Sequence, residues 1–251
     1  MMDRAQLNSS PAPLTVGLLV APGSGRMPPD VDMLYGDSGV RFISHGLGVG
    51  DISPSAFDQV EARILEKARA LSGAGAQRII LMGTSLTFYR GPAYANELRD
   101  EMTAITKVPC TTTSHAIVES MRSLGMRRVA VATSYIEELN VALREYLETL
   151  GFEVAAIQGL GIRGVDAVRA VPPRTIEELA RTTVARADRP DGLFISCAGL
   201  TTLGLHAGLE DVLGIPVTSS APAALWHVMR LAGWPADRPG FGRLFSPESD
   251  V

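Results

Sequence analysis

Leu193-Phe194-Ile195-Ser196-Cys197-Ala198-Gly199-Leu200 carries the reading of the fold. Its short apolar run reads as a buried strand, and Ala198-Gly199 opens the turn that follows. Ile79-Ile80-Leu81-Met82-Gly83-Thr84-Ser85-Leu86 has the same shape, with Gly83 in the place of Cys197. Two further pairs of stretches share the spacing. Val16-Gly17-Leu18-Leu19-Val20 parallels Val129-Ala130-Val131-Ala132-Thr133, and Pro109-Cys110-Thr111-Thr112-Thr113 parallels Pro216-Val217-Thr218-Ser219-Ser220. A separation of roughly 110 residues is too long for a solenoid repeat and suits a duplicated half.

Outward from these matches, apolar β-rich runs alternate with longer helical patterns, which implies parallel sheets flanked by helices. Strands are expected at 15–20, 40–44, 78–82 and near 108–111, and again at 128–133, 153–158, 192–196 and 215–218. Helices are expected at 55–72, 91–106, 136–150 and 175–187, with Ser55 and Thr175 as N-caps. The apolar helices 115–124 and 222–232 follow the last strand of each half and are placed to cross between halves. The fold class is therefore α/β, with two pseudo-symmetric domains, each a parallel sheet of about four strands. The first half takes 14–114 plus 222–251, the second 115–221, and 1–13 form a flexible leader. In open α/β sheets ligands bind at the carboxyl ends of the strands. Two such edges facing each other would form an interdomain cleft.

Composition narrows the function classes. The chain has 251 residues, 46% of them hydrophobic, and a net charge of −4 with no basic block, which argues against nucleic acid as a partner. No run is long enough for a membrane span, and the leader lacks a signal peptide's apolar core. Two cysteines point to a reducing compartment, so a cytoplasmic location is expected. No large exposed apolar stripe is evident, and a monomer is expected.

Gly83-Thr84-Ser85 reads either as an ordinary strand-to-helix turn or as a nest of N–H and hydroxyl donors for a carboxylate. Cys197 is either a small buried apolar residue or a reactive thiol at a strand end. Tyr135 follows another strand end, where its phenol would face an anion or pack a loop. Cys110, matched by Val217, reads as packing. Gly159-Leu160-Gly161-Ile162-Arg163-Gly164 matches the dinucleotide fingerprint, yet it follows the second strand of its half and Pro172-Pro173 interrupts the expected helix. It and Gly46-Leu47-Gly48-Val49-Gly50 read instead as tight turns near a ligand. His45, His115, His206 and His227 show no metal-ligand spacing, and no Gly-x-Ser-x-Gly elbow is present. No metal and no cofactor are expected.

Leu81–Gly91, Ala132–Ile136, Ser196–Leu200 and Arg238–Phe245 together resemble the arylmalonate decarboxylase family of the aspartate/glutamate racemase superfamily. The resemblance covers almost the whole chain after the leader. Racemases and maleate isomerases of that superfamily characteristically use two cysteines, one per half, whereas here the first place is Gly83, as in the decarboxylases. The resemblance implies cofactor-independent decarboxylation of α-disubstituted aryl or alkenyl malonates to chiral monocarboxylic acids, usually the (R)-acid. It implies Cys197 as proton donor, Thr84, Ser85, Tyr135, Ala198 and Gly199 as binders of a carboxylate or enediolate, and an apolar pocket of Ala21, Pro22, Val49, Ile52, Phe57, Leu86, Val165 and Val168. Ala198 departs from the family's Cys-Gly-Gly loop; its N–H survives and its methyl narrows the site. The rival readings are a racemase or maleate isomerase-like enzyme of the superfamily, and a non-catalytic carboxylate-binding protein.

Overall fold

The computed structural model describes residues 13–247. Residues 1–12 of the expected leader, and the last four residues assigned to the first half, lie outside the described residues. The first half runs β1 (Thr15–Val20), α1 (Pro29–Tyr35), β2 (Arg41–Gly46), α2 (Pro54–Asp58), α3 (Glu61–Gly73), β3 (Arg78–Met82), α4 (Thr84–Phe88), α5 (Gly91–Thr106), β4 (Cys110–Thr112) and α6 (Thr113–Ser123). The second runs β5 (Arg128–Thr133), α7 (Glu137–Thr149), β6 (Glu153–Gly159), α8 (Val165–Arg169), α9 (Pro173–Arg186), β7 (Gly192–Ser196), α10 (His206–Leu213), β8 (Val217–Ser219) and α11 (Ser220–Leu231).

Both sheets are parallel and four-stranded, with the orders β2-β1-β3-β4 and β6-β5-β7-β8. β1 is buried at every residue, whereas the edge strands β2 and β6 are largely half-exposed. In each order the chain reverses its direction of growth between the two central strands. The crevice at such a switch point lies at the strands' carboxyl ends, here after β1 and β3 and after β5 and β7.

The halves are stitched together by their last helices. α11 packs against α6 and over β3 of the first sheet. His227 of α11 shares a 3.2 Å hydrogen bond with Thr111 of β4, and the Arg78 Nε donates to the Leu231 carbonyl at 3.2 Å. Reciprocally, Thr218 Oγ1 of β8 donates to Ser120 Oγ of α6 at 3.0 Å. Near the strand ends, an antiparallel bridge pairs Asp51 with Gly164, and the Ile52 N–H donates to the Arg163 carbonyl at 2.7 Å.

Departures from expectation have local causes. β4 and β8 begin two residues later than expected, immediately after Pro109 and Pro216, which have no N–H to give a ladder. Their carbonyls still accept from Ile79 and Leu193. The expected helix 55–72 is two helices, parted at Gln59-Val60, and the first starts at Pro54 with Ser53, not Ser55, as its N-cap. α9 starts at Pro173 with Pro172, not Thr175, as N-cap, because proline's fixed φ suits the first helical turn. β2 is displaced to 41–46.

Candidate active site

A cavity of about 740 Å³ lies at the carboxyl ends of both sheets. Its wall brings together every site residue expected from the sequence: Ala21, Pro22, Val49, Ile52, Phe57, Gly83, Thr84, Ser85 and Leu86 from the first half, and Tyr135, Val165, Val168, Cys197, Ala198 and Gly199 from the second.

Two glycine loops hold the strand-end loops in place. After β1, Leu47 donates its N–H to the Val20 carbonyl and Val49 to the Ala21 carbonyl, each at 2.9 Å. A Cβ on Gly46 would stand 2.4 Å from the Pro22 carbonyl oxygen, so only glycine permits this approach. The second half repeats the device. Leu160, Gly161 and Ile162 donate to the carbonyls of Thr133, Tyr135 and Ser134, and a Cβ on Gly159 would stand 2.3 Å from the Tyr135 carbonyl oxygen. The fingerprint-like glycines thus support the Ser134-Tyr135 turn.

Cys197 follows β7 with φ 133°, a left-handed conformation that a non-glycine residue adopts only under strain. Its N–H donates to Ser220 Oγ, the first residue of α11, at 3.1 Å. The side chain is buried, and burial pushes the thiol above its ordinary value of 9.0. Hydrogen bonding from Ser134, the Gly199 N–H, Tyr135 and the Leu200 N–H opposes that rise without cancelling it. The thiol therefore stays protonated at neutral pH.

Tyr135 is also buried. Burial first, then the charge of a Cys197 thiolate, holds its phenol well above the ordinary range, so it is a neutral donor. Ser196 Oγ donates to its oxygen at 3.3 Å, and its ring meets Phe88 of the first half edge-on at 5.8 Å. Thr84 Oγ1 is buried near the phenol and has no well-formed hydrogen bond, and Ser134 Oγ is buried with the Cys197 sulfur as its one polar neighbour. Buried polar atoms are ordinarily paired. Thr84 lines the cavity, and its hydroxyl is a donor there without an acceptor.

α4 carries Thr84 and Ser85. Its position is fixed by Thr87 Oγ1, which bonds the Thr84 carbonyl at 3.0 Å and Ser114 Oγ at 2.6 Å. On the other side, a Cβ on Gly199 would meet Val168 at 3.0 Å and Cys197 Sγ at 3.8 Å, which keeps the loop close beneath the thiol.

Ser134, Arg26, Asp30 and Arg169 were not anticipated. Ser134 was legible as the residue before Tyr135 at a strand end. The other three are charged residues in loops or short helices, and only the tertiary structure brings them to the cavity. Among the described residues, no three His, Cys, Asp or Glu side chains gather into a metal-ligating group. No helix among them is long and apolar enough to cross a membrane.

A sequence model of arylmalonate decarboxylase matches residues 16–245. An arylmalonate decarboxylase from Bordetella bronchiseptica is 42% identical over 232 residues, which span 92% of this chain and 96% of that protein. A maleate isomerase from Nocardia farcinica is 33% identical over 137 residues, 54% of each chain. Among solved structures, a doubly substituted arylmalonate decarboxylase in its liganded form superposes with a TM-score of 0.90 at 41% identity, over 92% of this chain and 98% of that one. The TRIS-bound Nocardia farcinica maleate cis-trans isomerase superposes with a TM-score of 0.86 at 24% identity, over 95% and 100% of the two chains. That second likeness is one of fold.

Proposed function

The chain belongs to the arylmalonate decarboxylase family and is an enzyme, a decarboxylase, and from that premise we propose that it removes one carboxylate from α-disubstituted aryl or alkenyl malonates without a cofactor, Cys197 protonating the product carbon from one face. The observation that carries this reading is a single thiol in a cavity whose symmetry-related position is Gly83.

One substrate carboxylate is held by the hydroxyls of Thr84, Ser85 and Tyr135 and by the backbone N–H groups of Ser85, Ala198 and Gly199. As the C–C bond to the other carboxylate breaks, its electron pair enters the retained carboxylate to give a planar enediolate, and CO2 leaves. The donors face charge that grows in the transition state, each contributing about 3 kcal/mol. The unpaired hydroxyl of Thr84 supports this role.

The departing carboxylate lies against Ala21, Pro22, Val49, Ile52, Phe57, Leu86, Val165 and Val168. An apolar wall disfavours the anion and tolerates neutral CO2. The Cys197 thiol then gives its proton to the carbanion carbon, and the thiolate recovers a proton from solvent. Its raised pKa keeps the donor loaded. The net reaction consumes one proton per turnover. A racemase or two-cysteine isomerase needs a second acid–base group on the opposite face, where this chain has Gly83.

The test is alkalinisation of a weakly buffered solution on addition of methylphenylmalonate, in the presence of a chelator. The wild type is expected to raise the pH. Cys197→Ala is expected to lose about 100- to 10,000-fold in kcat, the ordinary worth of a positioned general acid. No rise with any arylmalonate, or undiminished activity in the variant, overturns the reading.

A further inference from the structure

Three aspartates face the cavity, and they differ. Asp32 and Asp166 are open to bulk solvent, whereas Asp30 is only 4% exposed. Asp30 stands in the first turn of α1, just after the rigid pair Pro28-Pro29, where its carboxylate has only its own backbone N–H as a hydrogen-bonding group. No side chain bonds or ion-pairs with it, although Arg26 and Arg169 line the same wall. Burial raises its pKa to about 6, so near neutral pH it is mostly ionised and can only accept hydrogen bonds.

Its oxygens are not among the buried side-chain atoms left without a partner, so the carboxylate reaches the cavity, where water is its partner until a ligand displaces it. The proposed chemistry does not supply a donor in its place. Both malonate carboxylates are anionic, and their binding is already accounted for by the donors around Thr84 and Tyr135 and by the apolar wall. A cavity of about 740 Å³ lies within the range that takes drug-sized ligands. It leaves room beyond a phenyl ring.

We propose that Asp30 is a specificity-determining residue that accepts a hydrogen bond from a hydroxyl or amine on the aryl arm of the substrate, so that this enzyme prefers arylmalonates bearing such a donor. The inference rests on the decarboxylase reading and deepens it. A substrate filling the cavity removes Asp30 from water, and an arm without a donor leaves the carboxylate uncompensated. Sites built to receive a substrate hydroxyl discriminate strongly against analogues lacking it, for this reason.

The experiment compares kcat/KM for methylphenylmalonates carrying a hydroxyl at the ortho, meta or para position with their methoxy counterparts, which offer similar reach and no donor. In the wild type at least one hydroxyl isomer is expected to exceed its methoxy partner by roughly 10- to 100-fold, the worth of a hydrogen bond to a charged group. Asp30→Ala is expected to bring that ratio close to one, and Asp30→Asn, nearly the same shape, to leave it intermediate. Equal rates for hydroxyl and methoxy substrates at all three positions overturn the proposal, as does a preference that survives in both variants. Calorimetric binding of the hydroxyphenylacetates and methoxyphenylacetates reads the same ratio without turnover. Failure of decarboxylation and failure of the Asp30 assignment are thus separate results.

Discussion

Gly83 follows β3 with φ −145°, a backbone open to any residue, whereas Cys197, in the matching place after β7, has φ 133°, which favours glycine. The residue free of a side chain does not need that freedom, and the residue with a side chain sits where one is strained. A Cβ at Gly83 would meet Leu86 Cβ and Cδ2 at 3.1 Å, a tight contact with a side chain rather than with backbone. Conformation therefore does not dictate which half carries the thiol. Both choices run against local preference, as expected where function outweighs stability. The half with glycine supplies the hydroxyls of Thr84 and Ser85, and the half with cysteine supplies the proton.

The largest expected effect that sharpens this division is on the Gly83 side. Thr84→Val removes a buried donor while keeping its shape, and kcat should fall roughly 100- to 1,000-fold, as for loss of one oxyanion donor. Enantiomeric excess should not change, because the proton still comes from Cys197. Chiral chromatography of the product checks it; a racemic product would blur the two roles.

A smaller effect concerns pH. Only the thiol form of Cys197 can deliver a proton, and a raised pKa extends that form to higher pH. The rate should be level through neutrality and fall only as pH rises above 9.0, the ordinary thiol value. Ser134 contributes the leading interaction that opposes the rise. Ser134→Ala should move the alkaline limb further up, as read from pH–rate profiles; a limb displaced towards neutrality would contradict the assignment.

The smallest effect is on stability. Cys197→Gly and Cys197→Ala should both lose about 100- to 10,000-fold in kcat, but glycine relieves the strained φ and alanine retains it. Thermal unfolding should find the glycine variant more stable than the alanine variant by about 1 kcal/mol. The reverse order would remove strain from the comparison.

Much of this was legible in the sequence because the central strands β1, β3, β5 and β7 are continuous apolar runs, and their limits were read without error. Edge strands β2 and β6 carry a half-exposed pattern, and their ends were less distinct. α1, α2, α4 and α8 span only five to seven residues, too few for a helical period to repeat. Two of these short helices, α4 and α8, carry Thr84, Ser85, Val165 and Val168. Thr84 and Ser85 were read from the small-residue turn at the end of β3, whereas Val165 and Val168 came only through family resemblance. Asp30 had no such guide. An aspartate after two prolines reads as an ordinary helix start, and only the tertiary structure closes the cavity wall around it.

The central claim is that a single thiol sets the face from which the proton comes, and relocating it tests this most directly. In the double variant Gly83→Cys/Cys197→Ala the thiol is moved to the symmetry-related strand end, with Leu86 shifting to admit it. Enantiomeric excess of the acid formed from methylphenylmalonate is the quantity to measure. The account predicts one enantiomer from the wild type and its mirror image from the double variant. The same enantiomer from both, or a racemic product from the wild type, would contradict it.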